Sequence, residues 1–126
     1  QYLKTSLAEA LRDFRAWLRR KSGRFKILVA HNADFDARVL KENARRANVD
    51  FRRDIQGFAC TYKIFKNKPG YSKGNCSLSE LYLNAGGCPS AVELHSAEGD
   101  IKALKFVVQK SGITKMDYLK YTTVFL

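Results

Sequence analysis

Apolar residues return at helical spacing near the start of the chain, at Leu7, Leu11, Phe14 and Leu18, with Trp17 beside the last. This period puts one apolar stripe on a helix over 6–20. Ser6 and Glu9 stand at capping-box spacing, and Gly23 after Arg19, Arg20 and Lys21 supplies a stop that the helix dipole favours. The run from Phe25 to Ala30 is dense in apolar and β-branched residues and predicts a strand buried on at least one face. A turn through His31, Asn32 and Ala33 leads into a second helix over 34–47, with Phe35, Val39 and Leu40 expected on its inner side. The segment 58–65 reads equally as a strand or as a strand running into a helical turn, and 66–75 reads as a loop. Ser77 and Glu80 repeat the capping spacing before Leu78, Leu81, Tyr82 and Ala85, and Gly86-Gly87 closes that helix. A last helix over 96–110 carries Ala97, Ile101, Leu104 and Val108 on one expected inner face before Gly112. Helices and strands that alternate in this way predict an α/β layer fold, with no internal repeat and no dividing linker.

The 126 residues, 45% hydrophobic with only two prolines, have the size and composition of one folded domain and not those of a disordered or collagen-like chain. No apolar run approaches the ~20 residues that span a bilayer, and no secretory leader pattern precedes the first helix. The expected setting is intracellular, in the nucleus or cytoplasm. Cys60, Cys76 and Cys88 form no close pair; they read as small buried hydrophobes in a reducing compartment, in preference to a zinc site with His31 or His95.

Charge changes the picture. The net charge is +11, and all of the excess lies in residues 1–75, which hold 18 basic and 7 acidic side chains; residues 76–126 balance. A polyanion such as nucleic acid suits that field, with Arg19, Arg20, Arg45, Arg46, Arg52 and Arg53 as candidate backbone contacts. A solubilising surface, or one that meets an acidic protein, is the plainer alternative. A small helical DNA-binding protein is a third reading, and it excludes the 25–30 strand.

Two segments hold acids and histidines where packing does not call for them. In 29–40 a buried strand gives way to a helix with Asp34 and Asp36 in its first turn. In 94–104 His95 stands at a helix start and Asp100 about one and a half turns on. The two segments could border one pocket. Each also has a structural explanation, the aspartates as first-turn acids and His95 as an N-cap.

His31-Asn32-x-x-Phe35-Asp36-x-x-x-Leu40 resembles the second motif of the DEDDh-type, proofreading-subunit-like 3′-to-5′ exonucleases. His95-x-Ala97-x-x-Asp100-x-x-Ala103-Leu104 is similar to the third, and Ser77-Leu78-Ser79-x-Leu81-Tyr82 resembles the family's helix between them. The match covers about residues 7–110. It implies a ribonuclease-H-like mixed sheet flanked by helices and removal of nucleotides from a single-stranded 3′ end of DNA or RNA. It further implies two Mg²⁺ or Mn²⁺ ions held by carboxylates. On the resemblance Asp100 is a metal ligand, Asp36 supports the metal site through water, and His95 is the general base. His31 and Asn32 are strand-binding residues, and Phe35 packs behind the site or stacks against a base; its spacing to Val39, that of a core stripe, favours packing.

The family's first motif, an Asp-x-Glu that bridges the metals, is missing: none of the seven aspartates has Glu two places on. Residues 1–126 are therefore expected to be the latter part of a single exonuclease-like domain without its first strands, inactive alone, and partnered by nucleic acid, another protein or the rest of its own polypeptide. The competing expectation is a shortened, catalytically inactive module that binds nucleic acid or a protein.

Overall fold

The structure, a computed structural model, describes residues 6–21, 23, 25–71, 74 and 76–125. Its elements are α1 (Leu7–Arg20), β1 (Ile27–Ala30), α2 (Ala33–Ala47), β2 (Gly57–Cys60), α3 (Thr61–Lys66), α4 (Leu78–Asn84), α5 (Ala97–Lys110), α6 (Lys115–Lys120) and β3 (Thr122–Val124). They fall into two compact units, Gln1–Ala59 with Thr122–Leu126, and Cys60–Tyr121. The architecture is mixed α/β, with a small three-stranded mixed sheet flanked by helices.

In the first unit α1 begins with the capping box: Ser6 Oγ accepts the Glu9 amide at 3.1 Å, and Glu9 Oε1 accepts the Ser6 amide at 3.3 Å. Leu11 and Leu18 are buried, and Phe14 stacks on Trp17 and meets Phe51. Leu7 and Trp17, at the edges of the stripe, stay exposed. The strand forms as β1 but starts two residues later than expected, and Phe25 is exposed.

On α2 the inner face differs from expectation. Phe35 and Val39 are exposed, whereas Ala33 and Ala44 are buried, with Ala37, Leu40 and Ala47 half-buried between them. Those five positions, spaced four, three, four and three, are the true helical stripe; four of them are alanines, and α2 packs against α1 and β1. Phe35, two residues from Ala33, points about 200° away around the helix.

The sheet order is β1-β2-β3, and β2 is buried along its whole length. It pairs antiparallel with β3, Gly57 opposite Val124, Phe58 opposite Thr123 and Ala59 opposite Thr122. Gly57 permits that pairing, since a Cβ there would lie 2.8 Å from the Thr123 carbonyl oxygen. Asp54, the buried acid among the described residues of this unit, accepts from Nε and Nη2 of Arg19 on its two carboxylate oxygens, at 2.7 and 3.2 Å.

The second unit is helical. Residues 58–65 resolve into the end of β2 followed by α3. Phe65, Cys76, Leu81, Tyr82, Ala103 and Val107 form one buried cluster, edged by Tyr71, Leu78, Val92, Leu94, Phe106 and Ile113. On α5 the inner face runs Gly99, Ala103 and Val107, and the expected Ala97 and Ile101 are exposed. The small residue at 99 sets this rotation, because the start of α5 presses on the Glu93 carbonyl, where a Cβ would come within 1.8 Å. Cys60 and Cys76 are buried as expected, but Cys88 is exposed. It sits just past the Gly86-Gly87 break, where its carbonyl accepts the Tyr82 hydroxyl at 2.8 Å and its thiol turns outward to Ser90. α6 and β3 follow Gly112, beyond the last element that the hydrophobic pattern indicated.

Candidate functional site

The first candidate segment is the junction of β1 and α2. The chain reverses through half-buried His31 and exposed Asn32, whose φ of 71° and ψ of 55° lie in the left-handed region that Asn tolerates better than most side chains. The Asn32 carbonyl accepts the Phe35 amide at 3.1 Å and so starts the helix, while its side chain makes no capping bond. Asp34 and Asp36 occupy the exposed first turn, as expected. Partial burial pushes the Asp36 carboxyl above its ordinary value, opposed by a backbone hydrogen bond. It is thus a carboxylate open to a ligand yet less fully hydrated than a free aspartate. Phe35 does not pack behind this turn: the residue is 51% exposed, with the Arg38 guanidinium 5.5 Å from its ring centroid.

The second segment is the start of α5. Ser96, not His95, is the N-cap: its Oγ accepts the Gly99 amide at 3.0 Å and donates to the Glu93 carbonyl at 2.6 Å. His95 lies one residue outside the helix at φ 73°, a left-handed conformation that costs roughly 1–2 kcal/mol for a residue with a Cβ. What holds it there is Asp100, whose Oδ1 accepts the His95 backbone amide at 2.8 Å. A hydrogen bond to a charged acceptor contributes about 1.5–3 kcal/mol, enough to offset that conformational cost. The imidazole itself is exposed. His95 and Asp100 are therefore brought together, through the backbone amide of one and the carboxylate of the other. Asp36 belongs to the first unit and this pair to the second. Among the described residues no group of three or more His, Cys, Asp or Glu side chains is gathered so as to hold a metal ion.

The six candidate arginines divide. Arg19 is committed to Asp54, Arg46 to Glu42 at 3.2 Å and Arg52 to Asp50 at 2.9 Å. Arg52 also holds the Asp50 carboxyl down at about 2. Arg20, Arg45 and Arg53 are exposed and meet no carboxylate of a described residue. Sequence reasoning passed over Lys41 and Phe125, which together with Arg45 line a cleft in the first unit. The one-turn spacing of Lys41 and Arg45 was the available signal for two of these three; nothing local marks Phe125. No helix among the described residues is long and apolar enough to cross a membrane. No protein-family model matches the sequence, and no curated protein matches it.

Proposed function

We propose that this chain is the latter part of a DEDDh-type 3′-to-5′ exonuclease domain of ribonuclease-H-like fold, which in its complete form hydrolyses phosphodiester bonds of DNA or RNA in the nucleus or cytoplasm. The observation that carries this reading is the His95 turn, an exposed imidazole on left-handed backbone clamped by the carboxylate five residues later. Backbone held at a conformational cost, with the side chain turned to solvent, is typical of functional positions. An imidazole is also the side chain best suited to take a proton from water in neutral solution. In this reading His95 accepts the proton of the attacking water, and Asp100 acts first as the positioning residue that fixes where the ring stands. His31, Asn32 and the arginines without carboxylate partners bind the strand.

A centre of two Mg²⁺ or Mn²⁺ ions needs several oxygen ligands around each ion. Asp36 and Asp100 are two carboxylates, and one oxygen of Asp100 already accepts the His95 amide. The residues of this chain do not by themselves fit such a centre, and the remaining carboxylates would come from an Asp-x-Glu elsewhere in a longer polypeptide. The commitment of Asp100 also favours a second reading, a non-catalytic exonuclease-fold module that binds nucleic acid or a protein.

The deciding experiment incubates the longer polypeptide with end-labelled single strands in Mg²⁺ and in Mn²⁺. Shortening from the 3′ end is expected, and His95→Asn, which tolerates the left-handed backbone, is expected to slow it by at least about a hundredfold without lowering the melting temperature. Intact substrate in both metals removes the enzyme reading and leaves the module.

A further inference from the structure

The C-terminal turn of α2, the turn over 48–52 and Phe125 enclose a cleft of about 520 Å³ in the first unit. Small-molecule sites span roughly 300–1,000 Å³. Its floor is apolar, with Val49 and Phe51 almost fully buried and Phe125 half-buried. Its rim is cationic. Lys41 and Arg45 stand one turn apart on the exposed side of α2, and neither meets a carboxylate of a described residue. Asp50 and Arg52 also face the cleft, and the guanidinium cancels the carboxylate it holds ionised. Two of the last carbonyls of α2 are capped by the backbone, the Ala44 carbonyl accepting the Val49 amide at 2.9 Å and the Arg45 carbonyl the Asn48 amide at 3.2 Å. Two positive charges without a carboxylate partner among the described residues thus stand over an aromatic and aliphatic floor.

We propose that this cleft binds a nucleoside phosphate, either free or as one unit of a single strand, with the phosphate on Lys41 and Arg45 and the base on the half-buried Phe125, behind which Val49 and Phe51 are packed. Two cations alone would suit any anion; the floor selects one that carries an aromatic ring, since base–aromatic contact contributes ~1–3 kcal/mol in single-strand binding. Arg38, one turn before Lys41, lengthens the basic row to about 10 Å along α2, toward the end that carries Asp36. A strand with one nucleotide seated in the cleft follows that row. The proposal rests on the nucleic-acid part of the reading above and not on hydrolysis.

Binding is measured on the 126-residue chain in EDTA, so that cleavage plays no part, by fluorescence anisotropy with a short labelled oligothymidylate. The double variant Lys41→Ala/Arg45→Ala, both exposed positions, is expected to weaken binding about tenfold and to flatten the logarithmic salt dependence by ~0.7, for the one phosphate no longer neutralised. The control Lys105→Ala/Lys115→Ala removes the same charge from exposed positions of the second unit and is expected to cost clearly less. Lys41→Arg/Arg45→Lys keeps the charge and is expected to bind like the parent. In parallel, amide resonances of 48–52 in the unsubstituted chain are followed by NMR as thymidine 5′-monophosphate, inorganic phosphate or the oligonucleotide is added. Shifts with the monophosphate support the free nucleotide as ligand, and shifts with the oligonucleotide alone support the strand. Equal losses from the two alanine pairs, equal shifts with inorganic phosphate and with nucleotide, or no shift with any ligand overturn the proposal. A failure of the longer polypeptide to cleave DNA or RNA leaves these outcomes untouched, so the two readings fail separately.

Discussion

Gly99→Ala is the most demanding test of how the start of α5 is built. A Cβ at this position would lie 1.8 Å from the Glu93 carbonyl oxygen and 2.7 Å from Ser96 Oγ. Carbon–oxygen contacts of this kind are comfortable at about 3.3–3.6 Å, so the Glu93 carbonyl has to swing away by roughly 1.5 Å. That retreat breaks the bond from Ser96 Oγ to the Glu93 carbonyl at 2.6 Å and stretches the cap that Oγ provides to the Gly99 amide at 3.0 Å. A lost hydrogen bond costs about 1 kcal/mol and a lost cap about another, with the crowding that remains adding about 1–3 kcal/mol. Replacing glycine by alanine within a helix returns at most about 1 kcal/mol. The net expectation is a loss of about 2–4 kcal/mol, read as a fall of roughly 6–16 °C in melting temperature for a chain of this length. Circular dichroism on the two proteins side by side measures it, with Ser96→Ala, which loses only the cap and its bonds, expected to fall less. A melting temperature that is unchanged or higher for Gly99→Ala would mean that helix propensity prevails and that the close approach to Glu93 is not there.

Arg19→Ala leaves the buried Asp54 carboxylate without its fork, and it is expected to lower the urea midpoint clearly while Arg20→Ala leaves it in place; equal midpoints would return Arg19 to the surface charges. Asp50 is held at about 2 by Arg52, against an ordinary 3.8. A carboxyl depressed in this way adds stability that is complete above its unfolded value and is lost as pH falls from about 3.8 toward about 2. NMR titration of Asp50 should therefore show a midpoint near 2 that returns toward ~3.9 in Arg52→Ala; a midpoint unmoved by the substitution would contradict the pairing.

The capping boxes and breakers were the most legible part of the sequence, because they act over three or four residues and need no tertiary partner. Ser6 with Glu9 starts α1 where its spacing places it, and Ser77 caps α4 through the Glu80 amide. Helix faces were read less well. Large apolar residues at Phe35, Val39 and Ile101 drew the expected inner faces toward themselves, whereas α2 and α5 pack through Ala33, Ala44, Gly99 and Ala103. Hydrophobic size marks what gains by burial, but close approach of two backbones is decided by what is absent from the side chain, and periodicity weighted by hydrophobicity undervalues it. In the candidate site the nearness of His95 and Asp100 was legible from their spacing. The form of it was not, since the contact runs through a backbone amide on a left-handed residue. The pairing of Arg19 with Asp54 joins residues 35 positions apart, and no local pattern announces it.

The short strand β3 has a consequence for the order in which the chain can fold. Ala59 and Thr122 lie opposite each other in the sheet, while everything from Cys60 to Tyr121 belongs to the other unit. For an unfolded intervening segment of about sixty residues, bringing those two strands together costs roughly 3–4 kcal/mol of chain entropy. Once 60–121 has folded, its own ends are adjacent, with the Cys60 amide donating to the Tyr121 carbonyl at 3.3 Å. The closure has then already been made, and β3 meets β2 as the continuation of a hairpin. During synthesis, therefore, the first unit waits for a strand that leaves the ribosome only after the whole second unit, and its buried central strand has one open edge until then.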